Sequence, residues 1–157
     1  MKKKLIRIGI AVLLCLFIGF LSSIATQTSI NTWYTNLNKP SFTPPNWIFG
    51  PVWILLYILM GIAAGIVWSK GFYHKWVKTA LYHFGFQLLL NAAWSIFFFG
   101  LQNPLIALLD IIALFILLLF TIKWFTVVNS TAAYLLIPYI VWVAFATALN
   151  FGIWQLN

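Results

Sequence analysis

Residues 104–126 read PLIALLDIIALFILLLFTIKWFT, and Asp110 and Lys123 are the only charged residues in this run. About 20 apolar residues in a helix cross the ~30 Å hydrocarbon core of a bilayer. A segment in lipid must satisfy its own backbone polar groups, and a helix does so within one segment. The stretch therefore predicts a transmembrane helix.

Further apolar runs of similar length give five predicted spans in all: residues 5–26, 45–69, 77–100, 104–126 and 131–155. Of the 157 residues, 64% are hydrophobic and 6% are charged, whereas a soluble domain usually carries about 25% charged residues. We therefore predict an all-α fold, an integral membrane bundle of five transmembrane helices that forms a single domain over residues 1–157.

The first run has an alternative interpretation as a cleaved signal peptide. Lys2, Lys3, Lys4 and Arg7 resemble a basic n-region, and residues 23–25, Ser-Ile-Ala, loosely resemble a cleavage site. The apolar run is long for such a peptide, and four further spans follow it. We therefore expect it to remain as the first helix.

The basic residues predict the orientation of the helices. If the spans alternate in direction, one side of the membrane receives all but Lys39, namely Lys2, Lys3, Lys4, Arg7, Lys70, Lys75, Lys78 and Lys123. The positive-inside rule then places the N-terminus in the cytoplasm and the C-terminus outside. We expect the membrane to be a bacterial plasma membrane. The net charge of +8 does not indicate nucleic acid binding, because these residues lie at the ends of apolar runs and form no basic patch.

The outer loop, residues 27–44, is the only long connection between spans, and it contains Trp33, Tyr34, Phe42 and two prolines, Pro40 and Pro44. Long ordered loops often act as lids over binding sites. Two interpretations stay open, a lid over a pocket and a belt of aromatic side chains at the membrane interface.

Polar residues inside the spans are the candidates for chemistry. Asp110 is the only acid, and a charge in lipid is costly unless it faces protein or water. It predicts either a ligand or proton contact or a hydrogen bond between helices. Span three carries a stripe at helical spacing, formed by Gln87, Asn91, Trp94, Ser95 and Phe98. Amides on such a face either join helices or orient a ligand in an apolar pocket.

Two other spans present aromatic faces at helical spacing. Span five carries Trp142, Ala146 and Leu149 on one face, and span two carries Trp53 and Tyr57. Such faces serve packing more often than ligand binding, but small Ala146 leaves room beside Trp142. At ~1.5 Å per residue, the key side chains lie about 9 to 18 Å inside the outer ends of their spans: Asp110, Trp53, Asn91, Ala146 and Trp142. This shared depth predicts a pocket in the outer half of the bundle, beneath the outer loop.

Several classes of site are excluded by what the chain lacks. A single acid rules out paired carboxylates, and no Gly-rich phosphate loop is present. His74 and His83 lie near the cytoplasmic end, where a haem or metal role is a minor alternative. We therefore predict no metal site and no resident cofactor.

Three ordered motifs carry a family resemblance. Residues 33–57 contain WY, KPSFTPP and FGPVWILLY, residues 87–95 read QLLLNAAWS, and residues 138–150 read PYIVWVAFATALN. They resemble the W-Y…K-P-x-[WF]-x-P-P…P-V-W-x-x-L-Y, Q-L-x-L-N-x-x-W-S and P-Y-x-x-W-x-x-F-A-x-x-L-N signatures of the tryptophan-rich sensory protein or translocator protein family. This family is also known as TspO or the peripheral-type benzodiazepine receptors, and the resemblance covers nearly the whole chain.

The resemblance implies a five-helix bundle, commonly a homodimer, that acts as a receptor for tetrapyrroles such as protoporphyrin IX and for ligands such as PK11195. The ligand-binding positions that it implies are Tyr34, Trp53, Tyr57, Asn91, Trp94, Asp110, Trp142, Ala146 and Leu149, to which the stripe on span three adds Gln87. It also implies light-dependent porphyrin degradation, with Trp53 and Trp142 as electron donors. Transport of porphyrin or of a lipid-like solute is the alternative function.

Two features depart from the family pattern. Residues 149–155 read LNFGIWQ and lack the Tyr and the basic residue of the mammalian cholesterol motif, which argues against cholesterol as a partner. Span three offers few small residues beside Gly85 for a dimer face.

Overall fold

The computed structural model describes all residues from Met1 to Asn157, and its regular elements are all helices. In chain order these are α1 (Lys2–Gln27), α2 (Asn46–Ser69), α3 (Lys75–Ser95), α4 (Pro104–Val128), α5 (Ser130–Leu135) and α6 (Ile137–Leu156). A π-helical turn (Ile96–Gly100) continues α3, and a short 3₁₀ turn (Tyr34–Asn36) lies in the outer loop.

Four parts of the chain are long and apolar enough to cross a membrane, namely α1, α2, α4 and the pair α5–α6. The helix α3 is less apolar, because it carries Lys75 and Lys78 at its start and the buried amides Gln87 and Asn91. With its π turn it covers residues 75–100, about 39 Å at ~1.5 Å per residue, which is enough to cross the hydrocarbon core. Large apolar side chains cover the outside of the bundle. The prediction of an integral membrane helical bundle is confirmed.

The helices α1 and α2 pack together more extensively than any other pair. A Cβ atom at Gly61 would overlap the backbone of Val12. One turn further along α2, a Cβ atom at Gly65 would overlap the backbone of Ile8. Small residues at this spacing let membrane helices approach closely. The glycine pair therefore forms an internal contact between the second half of α2 and the first half of α1.

The fifth predicted span, residues 131–155, is interrupted in the structure. The chain divides just before Pro138 into α5 and α6. Pro138 lies in the first turn of α6 and has no N–H with which to continue the helical ladder. Asn129 begins α5, because its side-chain oxygen accepts a hydrogen bond from the N–H of Ala132 at 3.0 Å.

The outer loop is hydrogen-bonded to the rest of the bundle at two places. The Ser29 hydroxyl donates to the carbonyl of Phe99 in the π turn, at 2.7 Å. The Asn157 side chain donates to the carbonyl of Asn38 at 2.9 Å and accepts from its N–H at 3.2 Å. The loop therefore lies across the ends of α3 and α6 as an ordered layer.

Candidate ligand-binding site

A cavity of about 830 Å³ lies between α1, α2, α3 and α6, directly beneath the outer loop. Its deepest lining residues, Leu16, Tyr57, Asn91 and Trp142, are near the middle of their spans. The cavity thus occupies the half of the bundle on the side of the outer loop. Ligand pockets usually measure about 300–1,000 Å³, so this volume suits a large organic molecule.

Indole rings from three helices form one continuous wall of the cavity. The ring centroid of Trp53 in α2 lies 6.3 Å from that of Trp142 in α6, at an interplanar angle of 89°. Trp53 also lies 6.4 Å from Trp94 in α3, at 34°. Trp94 stacks in turn on Phe98 at 5.1 Å, where the π turn carries Phe98 inward. The wall offers both ring faces and ring edges to an aromatic guest.

A buried hydrogen-bond network forms the floor of the cavity. The Tyr57 hydroxyl donates to Asn91 Oδ1 at 2.7 Å, and Asn91 Nδ2 donates to the Tyr139 hydroxyl at 2.6 Å. The Tyr139 hydroxyl donates onward to Gln87 Oε1 at 2.7 Å. These bonds join α2, α3 and α6, and inside a membrane such polar pairs hold helices in register.

Tyr34 forms the roof of the cavity and is held among aromatic rings. Its ring lies 5.6 Å from that of Phe99 and 6.3 Å from that of Phe49, centroid to centroid. Lys39 Nζ lies 4.9 Å from the centroid of the Tyr34 ring, a distance at which a cation is attracted to the ring face. Burial raises the pKa of Tyr34 to about 12, so the hydroxyl keeps its proton at neutral pH and stays a hydrogen-bond donor.

Two buried donors beside the cavity have no hydrogen-bond partner. They are the Tyr34 hydroxyl in the roof and the Trp142 indole N–H in the wall. By contrast, the indole N–H of Trp94 in α3 has a hydrogen-bond partner, because Trp94 Nε1 donates to Asn150 Oδ1 at 2.9 Å. Buried polar groups are nearly always paired in native proteins. Both atoms have almost no accessible surface, so a guest with hydrogen-bond acceptors would pair with them only if these side chains turn towards the cavity.

The cavity reaches the surface between the outer ends of α1 and α2. Three of its large apolar lining side chains are more than half exposed: Phe20 at 64%, Trp47 at 73% and Ile54 at 56%. Phe20 lies on α1, whereas Trp47 and Ile54 lie on α2. Because this side of the bundle faces lipid, an apolar molecule dissolved in the membrane has a direct route to the cavity.

A family model described as the TspO/MBR family matches residues 11–155. The chain belongs to the TspO/MBR family. The matched range includes most of α1 and all the other helices that line the cavity. The family resemblance inferred from the three motifs is thereby confirmed.

Relatives within the TspO/MBR family match over most of their length. The chain is 49% identical to the "Tryptophan-rich protein TspO" of Archaeoglobus fulgidus over 155 residues, 98% of this chain and 99% of that one. It is 41% identical to the human "Translocator protein" over 128 residues, 80% of this chain and 75% of that one. It is 32% identical to the "Tryptophan-rich sensory protein" of Cereibacter sphaeroides over 148 residues, 90% and 91% of the two chains. The chain is thus a membrane protein of this family along most of its length.

Most of the residues that the sequence singled out come together in this TspO/MBR cavity. Those that line it are Tyr34, Trp53, Tyr57, Asn91, Trp94, Trp142, Ala146 and Leu149. The outer loop supplies Ile30, Asn31 and Tyr34 to the lining, so part of this loop borders the cavity. Four of the five side chains that were counted to a similar depth, Trp53, Asn91, Trp142 and Ala146, therefore lie around one cavity.

Gln87 and Asp110 do not line the cavity. Gln87 is fully buried one layer below the floor, where it accepts from Tyr139 and its Nε2 lies 3.9 Å from the sulfur of Met60. Asp110 lies on α4, which contributes nothing to the lining, and its buried Oδ2 has no hydrogen-bond partner. The depth of Asp110 matched the others, but its helix packs behind α3 and α6.

Sequence reasoning missed the contribution of α1 to this TspO/MBR site. One face of α1 lines the cavity with small and polar side chains, namely Gly19, Ser22, Ser23 and Thr26. Their spacing of three and four residues is a helical stripe that could have been read from the sequence. A Cβ atom at Gly19 would lie 2.6 Å from the Tyr57 ring, so glycine is needed there to admit Tyr57.

Proposed function

We propose that this TspO/MBR protein is a membrane receptor that binds flat tetrapyrroles of the protoporphyrin IX type in the outer cavity. The observation that carries the proposal is a volume of about 830 Å³ walled by indoles, beside which two buried donors lack partners. Ligands of the PK11195 type, which combine fused aromatic rings with an amide carbonyl, suit the same features. We further propose that the N-terminus lies in the cytoplasm and that the chain forms a homodimer.

The chemistry of the lining suggests how a porphyrin would be oriented. The macrocycle is apolar and flat, and it suits the wall formed by Trp53, Trp94 and Trp142. Its carboxylates need hydrogen-bond donors or water, and Lys39 is the only basic residue on this side of the bundle. We therefore expect the carboxylates to lie towards the outer loop, with the macrocycle directed to the floor.

Removing an indole from the wall is expected to weaken porphyrin binding about tenfold, because stacking on an aromatic side chain contributes ~1–3 kcal/mol. The measurement is quenching of protein fluorescence by protoporphyrin IX, titrated in the dark. The variants are Trp53→Ala and Trp142→Ala, and Trp154→Ala serves as the control, because Trp154 does not line the cavity. Equal affinities in all three variants and the native chain would exclude this site.

A second activity, light-dependent degradation of the bound porphyrin, is favoured by the contact between Trp53 and Trp142 at the cavity wall, 6.3 Å apart. In this reaction an indole gives one electron to the excited porphyrin, which passes it to dioxygen from solution to form superoxide. The oxidised indole then takes one electron from the porphyrin, and superoxide adds to the resulting porphyrin radical cation. The indole is restored, and the net reaction is porphyrin plus dioxygen to an oxygenated product. No acid–base pair is required, which fits a cavity without a carboxylate in its lining.

Replacing either wall indole by Phe is expected to slow light-driven product formation several-fold, because phenylalanine is much harder to oxidise than tryptophan. Products are quantified by absorbance and mass spectrometry after illumination of Trp53→Phe, Trp142→Phe and the control Trp154→Phe, each saturated with protoporphyrin IX. If the porphyrin bleaches at the same rate in micelles without protein, the degradation activity is refuted and the receptor proposal is unaffected.

Transport of porphyrin or of a lipid-like solute is the competing function, and relatives bear the name translocator protein. Transporters often bind at helices broken near the middle of the membrane. Here the interruptions lie near span ends, at the π turn after α3 and between α5 and α6. Flux of porphyrin into proteoliposomes, above the rate in protein-free liposomes, would favour transport over simple binding.

A further inference from the structure

A second cleft lies in the other half of the bundle, on the side of the N-terminus. It has a volume of about 340 Å³ and is bounded by α1, α2 and α3. Every residue that lines it is apolar, including Ala11, Cys15, Ala64 and Leu88. It shares no lining residue with the outer cavity.

This N-terminal cleft is open to the membrane. Its lining includes Leu14, which is 58% exposed, and Phe72, which is 42% exposed. A cleft without polar atoms offers water no hydrogen-bond partners. In a bilayer, the apolar groups next to this cleft are the acyl chains of the surrounding lipids.

Two cations lie at the end of the cleft nearest the membrane surface. Arg7 Nη1 donates to the carbonyl of Trp68 at 3.1 Å, and its guanidinium carbon lies 5.3 Å from the centroid of the Trp68 ring. Lys78 Nζ lies 5.7 Å from the centroid of the Phe72 ring. Trp68 and Phe72 both line the cleft. Each of the two cations therefore contacts an aromatic ring at the rim of the cleft.

These cations have no counter-ion in the protein. The only acid of the chain, Asp110, lies six residues after the start of α4, at the opposite end of the bundle. The Arg7 guanidinium has five N–H donors, of which one is used by Trp68. No acidic side chain neutralises Arg7 or Lys78, so an anionic group at this end of the bundle would meet two unpaired cations.

We propose that the N-terminal cleft binds an anionic phospholipid from the leaflet on the side of the N-terminus. One acyl chain fills the cleft, and the phosphate lies between Arg7 and Lys78. From Arg7 to Cys15, α1 rises about 12 Å at ~1.5 Å per residue, which matches an acyl chain descending from its headgroup. A zwitterionic lipid fits less well, because Arg7 and Lys78 would repel the positively charged amine of its headgroup.

The protein is placed in nanodiscs that contain equal amounts of phosphatidylglycerol and phosphatidylcholine and is then released in a native mass spectrometer. The measurement is the amount of each lipid that remains bound to the protein. The native chain is expected to retain one phosphatidylglycerol in preference to phosphatidylcholine. The double variant Arg7→Gln/Lys78→Gln is expected to lose roughly tenfold or more of this preference, since each cation near the surface attracts anionic lipid. Lys123→Gln is the matched control, because Lys123 is an exposed cation at the same end that rests on Trp124, away from the cleft.

A second pair of variants tests the cleft itself. Leu14→Trp fills the cleft and is expected to lower retention of phosphatidylglycerol, whereas Leu13→Trp, at a 68% exposed position outside the lining, is expected to leave it unchanged. Both positions face lipid, so neither change disturbs the core. Equal retention of the two lipids by the native chain, or equal losses in the cleft variants and their controls, would overturn the proposal.

Discussion

Ala146→Trp is expected to abolish high-affinity porphyrin binding, with a loss of at least about 100-fold. Ala146 is 6% exposed and lies in the cavity lining on α6. An indole at this position projects into the space beside Trp142 that the macrocycle would occupy. Overfilling a packed site costs ~1–3 kcal/mol, and the guest also loses its own contacts. The measurement is a dark titration with protoporphyrin IX.

The matched control is Ala148→Trp, two residues along the same helix. Ala148 is exposed and does not line the cavity, so its indole points into lipid. We expect native affinity in this variant and native thermal stability in both. Binding by Ala146→Trp that equals binding by Ala148→Trp would show that the ligand lies elsewhere.

Asn91→Leu is expected to lower the free energy of unfolding by about 1–3 kcal/mol, or the melting temperature in detergent by on the order of 5 °C. Leucine has the same number and branching of side-chain heavy atoms as asparagine, so the change removes hydrogen bonds without opening a cavity. It deprives the Tyr57 hydroxyl of its acceptor and the Tyr139 hydroxyl of one donor. The control is Asn36→Leu, since Asn36 is exposed and bonds only within its own turn.

The same variant separates the two roles that the sequence left open for the amide stripe of α3. If Asn91 joins helices, stability falls and the porphyrin affinity of the folded fraction changes little. If Asn91 also orients a ligand from the cavity floor, affinity falls as well. A melting temperature equal to that of the native chain would contradict the network at the floor of the cavity.

The fold followed from hydropathy, because the bilayer sets the length of each span and forces each to be helical. The break at Pro138 and the π turn at residues 96–100 were harder to predict. In the π turn, the Phe99 carbonyl accepts a hydrogen bond from the Ser29 hydroxyl, which lies far away in the sequence. Such a partner cannot be read from the local pattern of residues.

The site was predictable where a helix carries polar or aromatic residues at a definite spacing, as around Asn91 and Trp142. It was not predictable on α4, because lipid-facing and core-facing positions of this helix are equally apolar. Depth along the span could be counted, but the direction of Asp110 around the helix axis could not. In a soluble protein the polar face would have fixed that direction.

The measurement that tests the central claim most directly is a dark titration of the native chain in nanodiscs with protoporphyrin IX, followed by displacement with PK11195. A single cavity between α1, α2, α3 and α6 predicts saturation at one porphyrin per chain and competitive release by PK11195. Porphyrin fluorescence that rises without saturation, in parallel with a control titration of nanodiscs without protein, would contradict the assignment of this cavity as the binding site.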